Sequence, residues 1–316
     1  MSRGPSSPAL HGFAVATAAA TFVLLFLGGL VTSTGSALAV PDWPLSFGQV
    51  FPEMTGGVLY EHGHRLAAST VGLLTLVLAV WTVLREPRPG VRVLALLALL
   101  AVVLQGVLGG VTVLYKLPTA VSVAHACLGQ TFFCLTVVLA LVTSRRWDAP
   151  RAATPSALPA LATVAAGCAF VQLVLGATVR HLHAGLAIPD FPLAFGRVVP
   201  PFPTLYVAIH YAHRVWALAV TLAIITAVAC AWRRHRGQPA LLRPALLLLP
   251  LVALQILLGG TIVWTHRAVL PTTLHQTTGA AVLGTCVALA VRAWRLRART
   301  AATAGAARVP VGAVAA

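Results

Sequence analysis

The chain has 316 residues, 59% hydrophobic and 9% charged; a water-soluble fold has nowhere to hide that much apolar surface, whereas a bilayer accepts it. Its formal charge of +16 comes from 22 Lys and Arg against six Asp and Glu. In a soluble protein this would suit nucleic acid, but here the basic residues cluster in short turns between apolar runs, as membrane topology requires, so no nucleic-acid partner is implied.

Runs long enough to cross a bilayer as helices lie near residues 12–32, 63–84, 93–114, 119–142, 158–179, 206–231, 245–264 and 270–292. They are too long and too continuously apolar for barrel strands, so the expectation is an all-α membrane protein with eight transmembrane helices. The first run, followed by Ala37-Leu38-Ala39, imitates a secretion signal, but it is longer than a signal core and a related run recurs at Leu158–Val179, so it is kept as a span. All but six of the 22 basic residues fall on one face. The exceptions are Arg65, Lys116, Arg180, Arg197, Arg214 and Arg267, which puts both termini in the cytoplasm and the long loops near 33–61 and 180–205 outside. Pro41, Pro44, Pro189 and Pro192 exclude a continuous helix in those loops. The five cysteines sit within apolar runs, with no CxxC or zinc-like spacing, and read as small packing residues.

The two halves repeat. Ala39-Val-Pro-Asp-Trp-Pro-Leu-Ser-Phe-Gly48 matches Ala187-Ile-Pro-Asp-Phe-Pro-Leu-Ala-Phe-Gly196 at an offset of 148 residues. His64-Arg65 matches His213-Arg214 at 149, and Gln105 to Gly110 with His125 matches Gln255 to Gly260 with His275 at 150. The expected organisation is a duplicated four-helix bundle, units 1–148 and 149–316, joined by the Pro- and Arg-rich turn near 145–159.

Each even-numbered span carries one histidine within about two turns of its outer start: His64, His125, His213 and His275. Ionisable side chains inside a membrane are costly and read as working sites. Facing imidazoles in a bundle core are a standard means of holding a haem iron, so these four read as two haem sites, His64 with His125 and His213 with His275. Arg65 and Arg214, beside their histidines, are candidates for pairing haem propionates. Glu61-x-x-His64 also occurs in di-iron bundles, but the other five acids lie in loops and cannot complete a carboxylate cage, so iron is expected only through haem. Glu61 stands three residues before His64 where the second half has His210, which makes the first unit the candidate for chemistry and the second a fixed electron-carrying site. His62, His181, His183 and His266 are placed at or outside the membrane interface, without an assigned role.

With these residues in hand, the chain resembles the haem A synthase family of cytochrome oxidase assembly proteins, over nearly its whole length. The resemblance rests on eight spans in two units, Glu-x-x-His-Arg at Glu61 to Arg65, the pair His213-Arg214, single histidines at His125 and His275, and Pro-Asp-Trp-Pro at Pro41 to Pro44. It implies an oxidoreductase of the cell membrane that oxidises a ring methyl of haem O to a formyl group by successive hydroxylations. The substrate haem would lie between His64 and His125 with Glu61 catalytic, and haem b as the cofactor between His213 and His275. Haem O synthase, the terminal oxidase assembly and an electron donor are the implied partners. The alternatives are a non-catalytic di-haem b-type cytochrome and a haem-handling assembly factor. Many bacterial members carry a cysteine pair in the first outer loop where this chain has Val40 and Ser46, so no disulfide can brace that loop here.

Overall fold

The computed structural model describes residues 7–147 and 155–306. Eight long helices follow in order: α1 (Pro8–Ser33), α2 (Gly56–Arg85), α3 (Pro89–Leu114), α4 (Thr119–Val142), α5 (Leu158–His181), α6 (Leu205–Arg234), α7 (Pro239–Trp264) and α8 (Val269–Ala306). Each is long and apolar enough to cross a bilayer, and among the described residues the extended structure is confined to two isolated bridges. This is a multi-pass membrane protein, as expected. The middle of the linker, and Arg3, Arg151 and Arg308 from the charge count, lie outside the described residues.

Lipid offers backbone groups no partner, so the helices satisfy them internally, and association then depends on close approach. Small side chains at helical spacing provide it. Ala95, Ala98 and Ala101 of α3 are buried, as are Ala162, Ala165 and Ala169 of α5. Polar residues inside the spans turn back on their own helix: Thr21, Thr75 and Thr143 donate their hydroxyls to carbonyls four residues earlier at 2.7–2.8 Å. One apolar core is built from α1 to α4 around Leu10, Leu78, Phe132 and Leu139, another from α5 to α8 around Leu158, Ile224, Leu248 and Leu289. Between them runs a seam in which α1 and α4 pack on α8, and α4 on α5.

Helix α2 begins seven residues before the apolar run that announced it. Glu61 and His62 are therefore helical and buried, at 4% and 5% exposure, rather than at the rim. Counted from the helix starts, His64 and His213 each lie eight residues in, and His125 and His275 six.

The two long loops, between α1 and α2 and between α5 and α6, fold alike. In the first, the Asp42 carboxylate accepts the N–H groups of Phe47 and Gly48 at 2.7 and 2.8 Å; in the second, Asp190 accepts those of Phe195 and Gly196 at 2.7 Å. Phe47 and Phe195 have positive φ (54° and 53°), as do Gly48 and Gly196 (71° and 70°), so the carboxylate holds a left-handed turn that an unaided phenylalanine disfavours. These backbone donors, that of Gly48 or Gly196 foremost, hold each carboxyl below the usual carboxylate range.

Candidate functional site

Each of the four histidines is seated in a notch left by a glycine on the preceding helix. A Cβ on Gly28 would stand 3.0 Å from the His64 ring, on Gly109 3.3 Å from His125, on Gly176 2.9 Å from His213, and on Gly259 3.2 Å from His275. The rings lie where they do because the facing helix has no side chain there.

Three of the four have a second partner in common. Gln105 donates to the His125 carbonyl at 2.9 Å and Gln172 to the His213 carbonyl at 3.0 Å, while Gln105, Gln172 and Gln255 bring their Nε2 atoms to 3.3–3.4 Å from the Nε2 of His125, His213 and His275. Each glutamine precedes its notch glycine by four residues, one helical turn, so amide and notch share a face. Helix α1 keeps the glycine but has Leu24 in place of the glutamine, and His64 alone lacks this neighbour. The recurrent Gln-x-x-x-Gly was legible as a mark of repetition; its contact with the histidines emerges only from the packing.

The histidines suit a metal-bound tetrapyrrole. The His213 and His275 ring centres are 6.4 Å apart. Two bonds of about 2 Å from imidazole nitrogen to one iron, plus roughly 1 Å from each nitrogen to its ring centre, account for about 6 Å. His275 Nδ1 lies 3.0 Å from the Gln255 carbonyl, which fixes that nitrogen as the donor and leaves Nε2 its lone pair. The Nδ1 atoms of His64, His125 and His213 are sealed from solvent without a hydrogen-bond partner among the described residues. Among the described residues no cluster of three or more His, Cys, Asp or Glu could hold a bare metal ion.

Around these notches the two long loops are clamped. Arg65 donates to the carbonyls of Asp42 and Leu45 at 2.7 and 2.9 Å and of Val40 at 3.2 Å, and pairs with Glu61 at 2.7 Å. Arg214 donates to Asp190, Leu193 and Ile188 carbonyls at 2.7, 3.0 and 3.2 Å. The Nη groups of both arginines are thus directed at loop backbone. Glu61 Oε2 accepts the Val40 N–H at 2.9 Å, and His210 Nδ1 accepts that of Ile188 at 3.3 Å. His62 is buried against the first loop, with Nδ1 2.8 Å from Ser46 Oγ. Val40 and Ser46 therefore pin the loop non-covalently to Glu61 and His62. The loop tips reach the inner notches too: a Cβ on Gly110 would meet the Trp43 ring at 2.6 Å, and one on Gly260 the Phe191 ring at 2.9 Å. In the Gly109-Gly110 and Gly259-Gly260 pairs the first glycine seats the histidine and the second seats the aromatic ring of the loop. Of the remaining histidines, His181 ends α5, His183 precedes a short turn of helix with φ of 56°, and His266 lies in the α7–α8 turn with φ of 49°. None of these three is among the nearest neighbours of a notch glycine.

Comparison with known proteins agrees with this arrangement. The chain is 29% identical over 267 residues to Heme A synthase of Shouchella clausii, covering 83% of this chain and 89% of that protein. It is 32% identical over 268 residues to Heme A synthase of Symbiobacterium thermophilum (80% and 85%), and 30% identical over 264 residues to that of Geobacillus kaustophilus (81% and 83%). A family model described as cytochrome oxidase assembly protein matches residues 53–287, from the end of the α1–α2 loop to beyond His275 in α8. On that match the chain belongs to the COX15-CtaA family of cytochrome oxidase assembly proteins.

Proposed function

We propose that this protein is a haem A synthase, an oxidoreductase that converts haem O to haem A in the membrane for cytochrome oxidase. The proposal divides the labour between units 1–148 and 149–316. His64 and His125 receive the substrate haem O, and His213 and His275 hold haem b, which when bound supplies one-electron redox chemistry. Both termini are cytoplasmic and the histidines lie towards the outer face, in the cell membrane.

The observation that carries the division is the exchange of Glu61 for His210 at one structural position. Both side chains accept a loop amide and touch the arginine four residues on, Glu61 to Arg65 at 2.7 Å and His210 to Arg214 at 3.2 Å. The latch does not require a carboxylate, because the second loop is latched without one. What Glu61 adds is a group with lone pairs to spare, able to accept a proton or to stabilise positive charge developing beside it. The absence of a glutamine at His64 fits the same division: the ligand set that must admit and release substrate has the less braced imidazole.

His213→Ala and His275→Ala test the assignment through visible spectra of the purified protein. Each is expected to abolish the bis-histidine haem b signature, whereas His64→Ala and His125→Ala retain it. Retention of that signature in both His213→Ala and His275→Ala would refute the placement of haem b.

A further inference from the structure

The arginines beside the histidines are committed to the loops, but another arginine is placed between the two sites. Arg180, the penultimate residue of α5, is partly buried in the seam and bridges three helices. It donates to Gln276 Oε1 of α8 at 2.7 Å, and to the Gly29 carbonyl and Ser33 Oγ of α1 at 3.0 and 2.9 Å. Thr273 of α8 closes the ring by donating to Ser33 Oγ at 3.0 Å. Gln276 adjoins His275, and Gly29 adjoins Gly28, the notch that seats His64.

All three acceptors are neutral. No carboxylate among the described residues lies within ion-pair distance of Arg180. A cation kept in low-dielectric surroundings without a counter-ion is costly, so its retention calls for a use. Its guanidinium is anchored on the residue that follows His275 in α8. The equivalent position in the first half, at an offset of 148, is Thr32, which bonds only to its own helix, so this cation is peculiar to the seam.

We propose that Arg180 is a positioning residue shared by the two sites, whose positive charge raises the reduction potential of the haem b held by His213 and His275. The inference rests on the assignment of haem b to that pair. Reduction of a ferric haem adds one electron and removes one positive charge from the iron, so a fixed cation nearby favours the reduced form by Coulomb's law. The neutral acceptors of Arg180 hold that charge in place without cancelling it.

The test is potentiometric titration of the purified full-length chain carrying its haem, followed in the visible spectrum. Arg180→Gln, which keeps polar contacts but no charge, is expected to move the midpoint to lower potential. Arg180→Lys is expected to stay near the parent, and Thr273→Val, which loosens the seam but leaves the charge, to leave the midpoint unchanged. If Arg180→Gln does not accumulate, Ser33→Asp places a carboxylate against the same guanidinium and should lower the midpoint with the arginine present. A midpoint equal to the parent in Arg180→Gln or Ser33→Asp would overturn the inference, as would an equal shift in Thr273→Val. Absence of haem b from the parent protein would instead overturn the assignment beneath it.

Discussion

Glu61 and His210 accept equivalent hydrogen bonds, from Val40 N–H at 2.9 Å and from Ile188 N–H at 3.3 Å. A carboxylate in one half and an imidazole in the other thus perform the same local task. The relationship separates structure from chemistry at this position, because a substitution can preserve the latch while removing the acid. Glu61→His is expected to fold, to keep haem b bound and to lose product formation. Glu61→Gln should behave likewise, its amide oxygen still accepting the Val40 N–H. Normal product from either variant, measured by haem extraction, would remove the catalytic role assigned to Glu61.

The notch glycines give a sharper structural test. Gly176→Ala puts a methyl 2.9 Å from the His213 ring, which must move, at a cost of about 1–3 kcal/mol and with loss of ligand geometry. Gly167, nine residues earlier on the same helix, has nothing within 4 Å of where a Cβ would stand, so Gly167→Ala should be tolerated. Haem b occupancy should fall only in the first variant; equal occupancy in the two would show that the notch does not position His213.

Leu24 marks the one histidine without a glutamine neighbour. Leu24→Gln should give His64 the partner that the other three possess, and slow the release of haem from the first unit. Faster release, or no change in the haem retained through purification, would show that the glutamines do not brace their histidines.

The arginine clamps are expected to govern loop order. Arg214→Ala removes donors to three carbonyls, and charged hydrogen bonds contribute about 1.5–3 kcal/mol each. Hydrogen exchange across residues 187–197 should accelerate by orders of magnitude, with the helices unaffected. Protection equal to the parent would refute the clamp.

The Asp42 turn carries a pH dependence whose sign is fixed. Its carboxyl lies below the usual range, held there mainly by the Gly48 and Phe47 N–H groups, so its contribution is complete above the ordinary carboxylate value and is lost as pH falls through the lowered one. Exchange protection of the Phe47 and Gly48 amides should be flat from about pH 8 to 5, once corrected for intrinsic rates, and decline under stronger acid. Asp42→Ala should remove both the protection and its acid dependence; protection retained in that variant would contradict the turn as described.

The helices and the histidines were readable from the chain because bilayer thickness dictates run length and because an ionisable group in such a run is conspicuous. What escaped was set by packing. Helix α2 starts at Gly56, seven residues before its apolar run, since a helix can extend beyond the lipid under a loop, and that extension is what buries His62. Gln105, Gln172 and Gln255 stood at a visible spacing from glycine, but their contact with the following helix depends on interhelical register. That three carbonyls of a folded loop converge on each of Arg65 and Arg214 was likewise not visible in the sequence, because it depends on the loop's fold. Arg180 looked like an ordinary outer-face cation, and its place in the seam arises from how α1, α5 and α8 meet.

The proposed division of labour, chemistry on a haem in the first unit and support from the second, is tested most directly by expressing the chain with and without a haem O synthase. The haems are then extracted from the purified protein and separated by chromatography with mass detection. Haem A, or its hydroxymethyl precursor, is expected only when haem O is supplied, with haem B present in both preparations. Haem B alone under both conditions would contradict the division, and would identify the protein as a di-haem b-type cytochrome.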